Sequence, residues 1–188
     1  MATATPTTTN GVNVSQLVDT IELIKRDPSL AQFRFRSQTR WQDGGRCETT
    51  IAGFYGAGAE ATRAKTHTLA GDEPAVLLGS DTAPNAVEAV LHALASCISV
   101  GYVYNAAARG ITIESLRFDV EGELDLRAFL GLSDQVRPGF ERITFTATVK
   151  ADAARADLEA LCEYVQKTSP VLDIVRNPVP VSIRLVKE

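Results

Sequence analysis

The 188-residue chain carries 19 Lys and Arg against 23 Asp and Glu, a net charge of -4, and 45% hydrophobic residues. That balance argues against nucleic acid or a membrane surface as partner, because both reward concentrated positive charge. Three widely spaced cysteines, Cys47, Cys97 and Cys162, and two histidines, His67 and His92, make neither a disulfide framework nor a zinc pattern, so no metal and no cofactor is expected.

At this length a single domain over residues 13–188 is expected. Met1 precedes small residues instead of a basic then apolar leader, and no run of about 18 apolar residues is free of polar interruption. A cytoplasmic location is the expectation. Residues 1–12 are small and polar and read as a disordered tail. Leu17, Val18, Ile21 and Ile24 then recur at helical spacing until Asp27-Pro28, which makes residues 13–30 an N-terminal helix extension.

From Ala31 the period changes to two. Phe33, Phe35, Ser37, Thr39 and Trp41 take one face of a predicted strand, and Arg34, Arg36, Gln38, Arg40 and Gln42 the other. Asp43-Gly44-Gly45 turns the chain, and Arg46–Ile51 returns. The arginines either coat a solvated sheet face or send one side chain to a thiol. Residues 52–64, with Gly53, Gly56 and Gly58, read as a flexible connection, residues 65–69 as a third strand and residues 71–83 as a loop.

The longest helical pattern runs from Pro84 to Gly110, started by Pro84-Asn85 and stopped by Gly110. At roughly 100° per residue, Asn85, Glu88, His92, Ser96 and Ser99 form a polar stripe opposite Val87, Val90, Leu94, Cys97 and Gly101. Glu88 lies about half a turn from Cys97, so the two cannot meet on one straight helix. Any contact of Glu88 with a cysteine would involve another copy of the chain. Cys97 itself fits a crowded helix crossing as a small hydrophobe, or a reactive thiol.

Beyond Gly110, residues 111–126 alternate as a long strand, with Leu116, Phe118, Val120 and Leu124 on its apolar face, and residues 143–149 form its antiparallel partner. Asp152–Lys167 predicts a helix burying Leu158, Leu161, Cys162 and Val165. Val179–Val186 predicts a last strand, at an edge because Pro178 and Pro180 cannot donate to a ladder. The order βββαββαβ gives an α+β domain with helices packed on antiparallel sheets.

The stretch DEPAVLLGSDTAPNAVEAVLHALASC, Asp72 to Cys97, combines an acidic-Pro loop, a glycine, a proline, a Glu nine before the cysteine and a Leu-Ala-x-Cys centre. It resembles the signature of the OsmC/Ohr family of osmotically inducible and organic hydroperoxide resistance proteins. VRPGFERITFTATV, Val136 to Val149, resembles the family's strand after its central hairpin, and the helix leading into Thr168-Ser169-Pro170-Val171 resembles its last helix. The similarity covers about Phe33 to Val186.

The resemblance implies antiparallel sheets around a long central helix, and a homodimer with sites shared between subunits. It implies Cys97 as the thiol that attacks a hydroperoxide, with Glu88 as the acid and Arg46, or alternatively Arg40, as the base of a neighbouring pair. Family members with a two-cysteine cycle carry Cys-Pro where this chain has Ser169-Pro170, and a serine cannot form the disulfide. The reading is therefore a one-cysteine hydroperoxide reductase of oxidative stress defence, completed by an external thiol reductant. Cys162 is either a core cysteine or a substitute resolving thiol. The alternative function is a non-catalytic dimeric binding protein holding a hydrophobic ligand near Cys97.

Overall fold

The computed structural model describes residues 8–187, and the chain separates into two compact units. The first comprises Thr8 and Asn13–Val90 of the described residues, and the second Thr9–Val12 together with the chain from Leu91 onward.

The expected disordered tail lies partly outside the described residues. Its end, however, is ordered: strands β1 (Thr8–Thr9) and β2 (Val12–Asn13) flank Asn10 and Gly11, both at positive φ, 52° and 76°. Two left-handed residues in a two-residue turn match the right-handed twist of a hairpin, and Asn-Gly is the pair that adopts them most readily. In the second unit the Asn10 amide donates to the Ile111 carbonyl and accepts from the Ile113 N–H, both at 2.9 Å, as a strand would.

In the first unit α1 (Val14–Arg26) starts where the Asn13 side chain accepts the Gln16 N–H, as expected for the extension. The strand expected from Phe33 onward is split. Arg34–Phe35 (β3) pairs with β6 (Phe54–Gly56), whereas Gln38–Asp43 (β4) pairs with β5 (Arg46–Ile51). Alternation reveals which face a residue takes but not which strand it pairs with, so the change of sheet between Phe35 and Gln38 left no mark in the period.

The supposed flexible connection holds β6 and β7 (Ala59–Ala61), joined by Ala57 and Gly58 at φ 50° and 82°. An alanine in that left-handed position hid the hairpin from a reading that looks for Asn or Asp. Phe33 stacks on Phe35 and Phe54 at 5.8 and 6.2 Å, and Phe35 and Phe54 meet tilted at 5.7 Å. β8 (His67–Gly71) adds to β5 in the second three-stranded sheet.

The loop after β8 is organised by Asp72, which is 2% exposed. Its carboxylate accepts the Thr82 N–H and hydroxyl at 3.0 and 2.8 Å, the Glu73 N–H at 2.8 Å and the Ser80 N–H at 3.4 Å. The Thr82 backbone bond foremost, helped by the others and opposed by burial, pulls this carboxyl down to about 2.

The central helix α2 (Ala86–Ala108) forms as expected. It ends in paired bonds from Gly110 N–H to Ala107 O and from Ile111 N–H to Ala106 O, with Gly110 at φ 72°. This Schellman closure needs a left-handed residue, which is why the stop falls on glycine. The deeply buried residues are Leu94, Ile98, Tyr102 and Ala106, one i+4 row, together with Ala107. Of the expected apolar stripe only Leu94 is that deep.

In the second unit β9 (Ile113–Glu123) and β10 (Arg142–Ala151) form an antiparallel ribbon, with the short helix α3 (Leu126–Phe129) between them. Leu116, Phe118 and Phe145 pack on a core shared with Leu161 and Val165 of α4 (Arg155–Thr168), both 0% exposed. Each such burial contributes about 1.5–3 kcal/mol. Residues 178–187 contain no strand, contrary to expectation. A strand needs a partner, and Val181, Ile183 and Leu185 stay at least 77% exposed. Instead a helix not anticipated, α5 (Pro170–Arg176), follows Ser169, because proline suits a first helical turn.

Candidate active site

Cys97 sits at the middle of α2, and its Sγ lies 3.3 Å from the Oγ of Ser169. Seventy-two residues separate them in sequence. They meet where α2 passes the junction of α4 and α5. Gly101, one turn beyond Cys97, lets the two helices approach: a Cβ built there would stand 2.9 Å from Val165 Cγ1.

Ser169 is 5% exposed and tied down on three sides. Its N–H closes α4 on the Val165 carbonyl at 3.0 Å, and its own carbonyl accepts the Asp173 N–H at 3.0 Å. Its hydroxyl oxygen accepts the Leu172 N–H at 3.3 Å, as the N-cap of α5.

These residues border a cavity of about 390 Å³. Val100, Gly101, Val165 and Pro170 supply its apolar wall, and Tyr104, Asn105 and Thr168 its uncharged polar edge. Cys97 is half-buried at this wall. Tyr104 and Asn105 were not singled out from sequence, although their spacing of seven and eight residues from Cys97 places them on the same helix face. Pro170 was not singled out as a wall residue either, since its place there depends on its opening α5.

The other sequence candidates have local employment. The Glu88 carboxylate accepts the Asn85 N–H at 2.9 Å while the Asn85 side chain accepts the Glu88 N–H at 2.8 Å. That reciprocal pair is a capping box for α2. Arg46 pairs with Asp43 at 3.5 Å, with the Arg46 side chain half-buried and that of Asp43 exposed. Arg40 stands opposite Glu48 in the β4–β5 register. Arg46, Arg40 and Glu88 belong to the first unit, and Cys97 and Ser169 to the second.

His92 lies 3.4 Å from the Ser96 hydroxyl. Cys162 packs against the core and receives Gln166 Nε2 at 3.4 Å. Its neighbour Tyr102 has its hydroxyl pushed well above the usual phenol range, by burial first and by Cys162 second. Cys47 stands in β5 opposite Trp41 and Gly71.

A small nucleophile beside a fixed hydroxyl, in a mostly apolar and uncharged cavity that opens to solvent, can react with a small electrophile that enters it. No curated protein matches the chain. Among solved structures, an OsmC-like protein from Mycoplasma pneumoniae aligns with a TM-score of 0.59 and 14% identity, covering 77% of this chain and 89% of that one. A Psychrobacter arcticus protein assigned to osmotic stress induction and detoxification response aligns with a TM-score of 0.55 and 15% identity, covering 73% and 85%. Both likenesses concern the α+β fold of antiparallel sheets and a long helix. The family model for OsmC-like proteins matches residues 79–184, more than half the chain and the whole span from the turn before α2 through α5, and the chain belongs to that family.

Proposed function

We propose that this protein is a thiol-dependent hydroperoxide reductase of one-cysteine type, acting in peroxide defence, with Cys97 as the reacting thiol. The observation that carries it is the facing of Cys97 by Ser169 at 3.3 Å, in a cavity with an apolar wall. Family membership, and a fold shared with a protein assigned to detoxification response, support the same reading.

The Cys97 thiolate attacks the outer peroxide oxygen, the O–O bond breaks, and the alkoxide takes a proton from solvent and leaves as an alcohol. Sulfur is oxidised to the sulfenic acid and the peroxide is reduced. Serine offers no second thiol, so a soluble thiol condenses with the sulfenic acid to give a mixed disulfide and water. A second thiol then releases Cys97 and departs as the soluble disulfide. Arg46 and Glu88 stay in this proposal as the pair the family resemblance implies.

The apolar wall also favours a second reading, a binding protein whose hydrophobic ligand lies against an unreactive Cys97. One experiment separates the two. Cumene hydroperoxide consumption is followed with dithiothreitol as reductant, in the wild type and in each Cys→Ser variant. Cys97→Ser should abolish turnover, whereas Cys47→Ser and Cys162→Ser should keep most of it. Turnover unchanged in Cys97→Ser would remove the reductase reading. A wild type that is inert to peroxide although Cys97 alkylates readily would favour the binding protein.

A further inference from the structure

We propose that Ser169 is the hydrogen-bond donor to the Cys97 sulfur, stabilising the thiolate from within the pocket itself, beside the pair that the family resemblance implies. The inference rests on the reading of Cys97 as the reactive thiol. A serine hydroxyl has one hydrogen and two lone pairs. The Leu172 N–H occupies one lone pair at 3.3 Å, and the hydrogen is free to point at the sulfur 3.3 Å away. Once Cys97 has lost its proton the sulfur can only accept, so the direction of the bond is fixed by chemistry.

Position is fixed by the backbone. Ser169 is held by the last bond of α4 and the first of α5, and Pro170 locks the following residue, so the hydroxyl has little freedom to turn away. The cavity wall carries no charged side chain among the described residues. In so apolar a setting a single donated bond favours the ionised form of a thiol more than it would in water. The same hydroxyl remains against the sulfur after oxygen transfer. It cannot condense with a sulfenic acid to a disulfide, so it leaves that acid waiting for a soluble thiol.

The test compares the rate at which iodoacetamide modifies Cys97, read by peptide mass, across about pH 5–9 in four proteins. Ser169→Ala removes the hydroxyl and the helix cap. Ser169→Gly removes the hydroxyl while remaining an acceptable cap, and Ser169→Thr keeps both. Both Ser169→Ala and Ser169→Gly should slow modification near neutral pH by about tenfold and displace the pH–rate profile to higher pH, with Ser169→Thr within about twofold of wild type. Equal rates in all four proteins overturn the proposal. So does a Ser169→Gly protein as fast as wild type beside a slow Ser169→Ala, since that pattern assigns the serine to capping alone. These rates need no peroxide. A wild type that fails to consume hydroperoxide while the expected rate pattern holds would end the reductase reading and leave the donor assignment standing.

Discussion

Asp72 shows how one side chain can hold a whole loop, and it has a pH signature. A carboxylate that is 2% exposed is tolerable only because four donors meet it, and those bonds favour its charged form. Its value of about 2 in the folded chain lies below the ordinary 3.8. A depressed folded value means that the stabilisation is fully present above the unfolded value and is lost as pH falls through the folded one. Asp72→Asn should therefore lower the urea midpoint at about pH 6, and the gap to wild type should close as pH falls from about 4 to about 2. A gap that is constant with pH would show that the charge plays no part. Asp72 was visible in the sequence only as one letter of a family-like stretch, because the four donors lie one to ten residues away and their convergence is a property of the folded loop. Glu88 carries the opposite lesson. The Asn85 and Glu88 spacing is a capping signature legible in the sequence, and the geometry gives that local role to the residue which the family resemblance had marked for chemistry.

Elements whose patterns are long were readable, and those that depend on partners were not. α2 and the β9–β10 ribbon each repeat their period over ten or more residues, so chance neighbours could not disguise them. The β6–β7 hairpin has three residues per strand and an Ala-Gly turn, and nothing in so short a stretch separates it from a loop. Residues 179–186 alternate as a strand should, yet they have no strand partner among the described residues. Packing between elements follows from sequence even less directly. By propensity alone Gly101 costs the helix about 1 kcal/mol relative to alanine, and only the fold displays its close approach to Val165. Because Val165 is 0% exposed and branched at Cβ, it cannot swing aside. Gly101→Val should thus cost about 2–3 kcal/mol despite the better helix propensity. Val100→Ala, one residue away on an exposed position, should stay within about 0.5 kcal/mol. Thermal unfolding of the two variants measures this, and equal stabilities would show that the α2–α4 crossing has slack.

At the scale of the whole molecule, the family-like spacing legible in the sequence named the fold, whereas surface left without cover is a property only the folded chain displays. Only 17% of the most apolar stretch of α2 is buried within the chain, and the helix is long and apolar enough to cross a membrane. Glu88, His92, Ser96, Ser99 and Asn105 are nevertheless spread along it, and such residues are expensive against lipid. Val181, Ile183 and Leu185, 77–94% exposed, add a second uncovered apolar edge in an extended segment. We propose that a second copy of the chain covers both. Two identical helices can bury their apolar sides on each other while the scattered polar groups find partners, and an extended segment can complete its ladder on another chain. Size-exclusion chromatography with light scattering should then give twice the chain mass at micromolar concentration without detergent. The double substitution Ile183→Asp with Leu185→Asp should shift the protein toward monomer or into aggregates, because charge at those positions cannot be buried without large cost. A wild type that runs as a stable monomer at these concentrations would refute the dimer, and one that is soluble only with detergent or sediments with lipid vesicles would hand α2 to the membrane instead.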